Sequence, residues 1–264
     1  MRRGLLLVLA LAAGAAPGYA QTAPPPGSGA QPPKVEYLSR FDYRVGLERL
    51  ITDDKRFEWD ANFGSDLDIV DFGAGRVGFL ANYQAILGSE FREFDPNQAN
   101  YTLEGSVSAR EGSTEIAGVF HHVSRHLSDR PKRFSIAWNV LGARVLRRVE
   151  VRGVQVDARV DVDRVVQHSY VDYSWTADAD LSIRRVLTPR IGVFTHGYGE
   201  VFGVDGTVAN RNAQTGGVLE AGVRLNGKAG AIELFAGVER RIDADPADRL
   251  PRRWVVAGFR LLSK

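Results

Sequence analysis

The stretch Val154-Gln155-Val156-Asp157-Ala158-Arg159-Val160-Asp161-Val162-Asp163 decides the fold class. Every even position is apolar and every odd position is polar or charged. A helix would spread these residues round its surface, whereas an extended chain sends neighbours to opposite sides. The run reads as a strand with one greasy face and one charged face.

The same split recurs along the chain. Tyr101, Leu103, Gly105, Val107 and Ala109 oppose Thr102, Glu104, Ser106, Ser108 and Arg110. Leu219, Ala221, Val223 and Leu225 oppose Glu220, Gly222 and Arg224. Val171, Tyr173, Trp175, Ala177 and Ala179 oppose Asp172, Ser174, Thr176 and Asp178. Segments of this kind fall near 41–49, 57–71, 76–87, 101–110, 115–124, 134–150, 154–165, 170–184, 190–203, 215–225, 231–241 and 253–262. Most are longer than the roughly five or six residues of an average soluble strand.

Two architectures alternate in this way. A soluble sandwich buries its apolar face and wets the other. A transmembrane barrel turns its apolar face to lipid and its polar face to the lumen. Connection lengths favour the barrel. Gly73-Ala74-Gly75, Glu111-Gly112, Arg152-Gly153, Thr188-Pro189 and Asn226-Gly227-Lys228 are tight, while the segments near 50–56, 88–100, 125–133, 204–214 and 242–252 are longer and polar. Trp59, Tyr83, Tyr101, Trp175 and Trp254 fall near strand ends, as an interfacial girdle requires. An open edge in hydrocarbon would strand unpaired N–H and C=O groups, so the sheet must close. The expectation is an all-β, closed antiparallel transmembrane β-barrel of about 12 strands, with short periplasmic turns and longer extracellular loops. Apolar faces pressed together in a dry interior would contradict it.

Residues 1–20 carry Arg2-Arg3, an apolar run from Leu5 to Ala16, and Gly18-Tyr19-Ala20 before Gln21, the pattern of a cleaved signal peptide. Residues 21–38 begin with a Pro/Gly-rich stretch and read as a linker, leaving 39–264 for the barrel. The expected location is the outer membrane of a Gram-negative bacterium. Discounting Arg2 and Arg3, the mature charge balances at 32 of each sign, which argues against a nucleic-acid partner. With no Cys there is no disulfide scaffold, thiolate metal site or cysteine nucleophile. No cofactor is expected. The expected partners are outer-membrane lipids, lipopolysaccharide and the barrel-insertion machinery, for which Phe259 is the nearest aromatic to the C-terminus.

Inward positions are rich in Asp, Glu and Arg. An Arg–carboxylate network would fill a narrow lumen, and a partly open one would make a selective pore. Arg supplies all but five of the 34 cations, and externally placed Arg could hold lipopolysaccharide phosphates.

Three of the five His residues fall in Phe120-His121-His122-Val123-Ser124-Arg125-His126-Leu127-Ser128-Asp129. With Glu115 inward, His122 and Ser124 face outward beside a long external loop. A His and a Ser two apart on a strand project side by side, so the imidazole can take the hydroxyl proton as Ser124 attacks an ester. Asn139 on the following strand also points outward, where it could orient the imidazole. A metal site built from His121, His122, His126 and Asp129 is disfavoured, because period-two spacing divides them between faces.

The His122-Val123-Ser124 triplet with Asn139 resembles outer-membrane phospholipase A, a twelve-stranded barrel with a lipid-facing His-x-Ser pair and an Asn. It resembles more distantly lipid A deacylase, a smaller barrel using His-x-Ser with a Glu. The longer pattern of His122, Ser124, His126, Leu127 and Asp129 is similar to that of an uncharacterised proteobacterial outer-membrane family. The first expectation for function is non-enzymatic, a small channel or a structural or surface-binding barrel. The competing one, implied by the resemblance, is a lipid-directed serine esterase with Ser124 as nucleophile, His122 as base and Asn139 as orienter.

Overall fold

The computed structural model describes residues 34–128 and 134–263. The expected leader 1–20, most of the linker 21–38, and Asp129 lie outside the described residues. Twelve strands follow one another: β1 (Glu36–Ile51), β2 (Trp59–Asp71), β3 (Arg76–Gly88), β4 (Asp95–Glu111), β5 (Thr114–Leu127), β6 (Ile136–Val151), β7 (Val154–Ser169), β8 (Tyr173–Val186), β9 (Ile191–Val204), β10 (Gln214–Asn226), β11 (Gly230–Asp245) and β12 (Leu250–Ser263). A single helical turn, α1 (Gly206–Ala209), lies between β9 and β10. Each strand pairs antiparallel with its neighbours in sequence, and β1 pairs with β12 to close the sheet. No helix among the described residues is long and apolar enough to cross a membrane.

The polarity runs inside out. Val162 is 59% exposed while Asp161 beside it is 2% exposed. Val107, Phe120, Leu141, Leu219, Leu234 and Val255 all stand on the outside. The dry-interior alternative fails on this observation. Inside, Arg guanidinium groups alternate with carboxylates. Arg76 bridges Asp68 at 2.8 Å and Glu115 at 2.7 Å. Arg144 bridges Glu104 at 2.8 Å and Asp161 at 2.6 Å. Arg241 bridges Asp60 at 2.6 Å and Glu239 at 2.7 Å. Arg260 holds Glu233 at 2.6 Å and also Glu220. Charges removed from water must be paired, and the planar guanidinium fork meets two carboxylates at once.

At the long-loop end the lumen changes character. Leu50, Phe57, Ile86, Ala244, Trp254 and Val256 form one buried apolar cluster, and Ile136, Trp138, Val140, Val165, Val171 and Tyr173 form another. Two sequence-based expectations are corrected here. Trp254 does not belong to the outer girdle; it is 5% exposed and points inward, as its phase against Val255 dictates. Tyr173 does not share the outer face with Trp175; a register irregularity between them turns Tyr173 inward, to 2% exposure.

The end of β11 bends across this mouth. Asp243 takes a left-handed φ of 44°, and Ile242 to Asp245 are buried. Arg125 of β5, on the opposite wall, donates to the carbonyls of Asp243 at 2.6 Å and Ala244 at 2.9 Å. Gln98 of β4 donates to the Ala244 carbonyl at 2.7 Å, and the Tyr173 hydroxyl donates to the Asp243 carboxylate at 2.6 Å. Below this cap the lumen holds a cavity of about 250 Å³, whose lining includes Gln84, Asn100, Glu200 and Arg241.

Candidate active site

Alternation along β5 sends Ile116, Gly118, Phe120, His122, Ser124 and His126 outward and Ala117, Val119 and Arg125 inward. His122 and Ser124 therefore sit half-buried on the outer surface, near the long-loop end of their strand. Register does the rest. His122 lies opposite Leu103 on β4 and Asn139 on β6, and Ser124 lies opposite Tyr101 and Ala137.

His122 Nδ1 stands 2.6 Å from Asn139 Oδ1. The Asn139 amide donates its Nδ2 hydrogen to Gln167 Oε1 of β7 at 2.9 Å. The atom that faces the ring is Oδ1, which can only accept, so His122 donates from Nδ1 and turns Nε2 away from the amide. The expected pair of His122 and Asn139 is thus brought together, with Gln167 behind it.

Ser124 is placed differently from the expectation. Its hydroxyl is hydrogen-bonded to His126 Nε2 at 2.9 Å, with His122 on the other side along the same row. The Tyr101 and His126 rings meet edge to face, at a centroid distance of 5.4 Å and an angle of 84°. Tyr101 continues through Tyr83 to Phe63, at centroid distances of 5.0 and 6.2 Å, as an aromatic row crossing β4, β3 and β2. Such a row suits the boundary between headgroups and acyl chains. His121 points inward instead, 3.9 Å from Glu104. Among the described residues no three His, Asp or Glu side chains are grouped as a metal site would need.

Alternation alone would not find Gln167. Continued through β7, it would send Gln167 inward. A register irregularity beside Val166 turns it outward to meet Asn139.

No family model and no curated protein matches this chain. Solved structures do. Outer membrane phospholipase A from Escherichia coli matches with a TM-score of 0.52 and 14% identity, over 84% of this chain and 92% of that one. Its active-site Asn-to-Ala variant gives 0.52 and 15%, over 85% and 91%. The Salmonella typhi outer membrane phospholipase dimer with bound calcium gives 0.52 and 13%, over 85% and 90%. The fold is that of an outer-membrane β-barrel. At these identities the likeness concerns the barrel itself.

Proposed function

We propose that this chain is an outer-membrane serine acyl hydrolase acting on membrane lipid, with Ser124 as nucleophile, His122 as general base and Asn139 as its orienter. One observation carries the reading. An outward-facing imidazole is fixed in orientation and tautomer by Asn139 and Gln167, on the same strand face as a serine, beside an aromatic row suited to a lipid interface. A purely structural surface gives no reason to hold a lipid-facing histidine with an amide that is itself held by a second amide.

Ser124 Oγ attacks the ester carbonyl carbon and passes its proton to an imidazole. The C–O bond to the alcohol breaks, and the imidazolium returns the proton to the leaving oxygen. Water, deprotonated by the same imidazole, then attacks the acyl-serine; the acyl–Oγ bond breaks, the imidazolium returns the proton to Ser124 Oγ and the fatty acid leaves. His122 is assigned the base because its Nδ1–H is held while Nε2 is free to accept. His126 holds the hydroxyl in the arrangement seen, and the mechanism requires Ser124 Oγ to turn about its Cα–Cβ bond towards His122. The bent end of β11 and the ion-paired lumen favour this reading over a channel.

The test is hydrolysis of phospholipid and of lipid A by the purified full chain in detergent. Wild type should release fatty acid, and Ser124→Ala should fall to background. Release that persists in Ser124→Ala removes the serine mechanism. A folded wild type that is inactive on both lipids restores the non-enzymatic reading.

A further inference from the structure

Two consecutive Arg–Arg pairs stand across β11 and β12. Arg241 lies opposite Arg252 on the inner face, and Arg240 lies opposite Arg253 on the outer face. Like charges directly opposite one another destabilise a sheet unless something neutralises them. The inner pair is neutralised within the chain. Arg241 meets Asp60 at 2.6 Å and Glu239 at 2.7 Å, and Arg252 meets Asp248 at 3.1 Å and Asp54 at 3.5 Å. The outer pair is not: among the described residues neither Arg240 nor Arg253 has an ion-pair partner or a side-chain hydrogen bond.

Position makes the contrast informative. Arg240 shares its face with Val238, and Arg253 shares its face with Val255, both exposed on the apolar exterior. The two arginines lie towards the 246–249 connection, the long-loop end of the barrel. On the other side of Arg240 stands Gly217, which offers no side chain to shield it. Single outward arginines occur at the opposite rim. Arg147 faces Thr114 and Ala158, and Arg185 faces Val154 and Val193, none of them charged. Only snorkelling is needed there. Two arginines at directly opposed positions on one face can instead both reach a single phosphate.

We propose that Arg240 and Arg253 form a binding site for the phosphate of an outer-leaflet lipid headgroup. The site lies six strands round the barrel from β5 and is independent of any chemistry at Ser124. The lipid supplies the counter-charge that the chain provides internally for Arg241 and Arg252. Its acyl chains lie along the apolar column of Val238 and Val255.

The experiment titrates the detergent-solubilised full chain with bisphosphorylated lipid A, its dephosphorylated form and inorganic phosphate, reading bound lipid by native mass spectrometry. Wild type should retain the bisphosphorylated lipid. Arg240→Gln/Arg253→Gln should weaken it about tenfold or more, the scale of losing charge-assisted hydrogen bonds. Arg147→Gln/Arg185→Gln, which removes the same charge from the other rim, should leave it unchanged. Heat-modifiable electrophoretic mobility checks that both variants are folded. Equal retention by wild type and the Arg240/Arg253 variant overturns the proposal. So does equal retention of dephosphorylated lipid, or displacement by inorganic phosphate at the same concentration.

Discussion

At the scale of single residues, the question is what Asn139 contributes. It touches His122 and Gln167 and makes no described contact with Ser124. If it acts through the imidazole, Asn139→Ala should lower kcat by about 10²-fold or more and leave KM nearly unchanged. Gln167→Ala should cost less. Added to Asn139→Ala it should cost almost nothing, because its effect passes through the amide it holds. Additive losses in that double-mutant cycle would place Gln167 elsewhere in the chemistry. His126→Ala should retain more activity than His122→Ala, and the reverse order would make His126 the base. Much of this cluster is legible in the sequence: spacing and phase alone put His122, Ser124 and Asn139 on one outward face. The partnership of Ser124 with His126 was not legible, because alternation fixes a face and says nothing of which neighbour a rotatable hydroxyl chooses. Gln167 was hidden by a bulge, and a one-residue irregularity reverses every orientation beyond it.

At the scale of elements, strand existence was readable and strand ends were not. The segment expected at 115–124 runs to Leu127, and the one expected at 154–165 runs to Ser169. Beyond the lipid-facing span the period-two signal fades, because neither face meets hydrocarbon, yet ladder pairing continues. The connections there are tied by ions instead. Arg211, between β9 and β10, donates from Nε to Asp172 at 2.9 Å and from Nη1 to Asp243 at 2.7 Å. Asp172, between β7 and β8, is fully buried. Burial pushes its carboxyl upward, but hydrogen bonds and charge from Arg211 win and hold it below the usual carboxylate range. A carboxylate depressed in the folded state stabilises fully above its unfolded value of about 3.9, and that contribution is lost as pH falls through the folded value. Arg211→Ala should therefore destabilise the mouth by about 3–5 kcal/mol at neutral pH, by removing the cation from buried Asp172 and leaving buried Asp243 with only the Tyr173 hydroxyl. Heat-modifiable mobility measured at pH 7, 4 and 3 should show wild type losing this margin only at the acid end, with the variant's deficit shrinking there. A deficit that is constant with pH would mean that Arg211 acts through packing.

At the scale of the whole molecule, the same alternation that places valines against lipid obliges the barrel to bury its charges. Arg144 of β6 reaches Glu104 on β4 and Arg241 of β11 reaches Asp60 on β2, so the network ties non-adjacent strands together and narrows the lumen. The apolar-out rule then fails where the barrel leaves the membrane. Leu50, Ile86, Trp138, Val140, Trp254 and Val256 turn inward, because at the mouth the driest place available is the lumen. Arg125 completes the closure by pulling the end of β11 across from the far wall. A barrel built in this way should show no steady porin-sized conductance in planar bilayers. Arg125→Ala removes the donor to the Asp243 carbonyl and leaves the Ala244 carbonyl to Gln98 alone. It should produce intermittent openings without unfolding the sheet, since the strand ladders do not depend on that side chain. Steady conductance through the wild type would show that the β11 cap does not block ions. A silent Arg125→Ala variant with a silent wild type would place the block deeper, in the paired charges around Arg241.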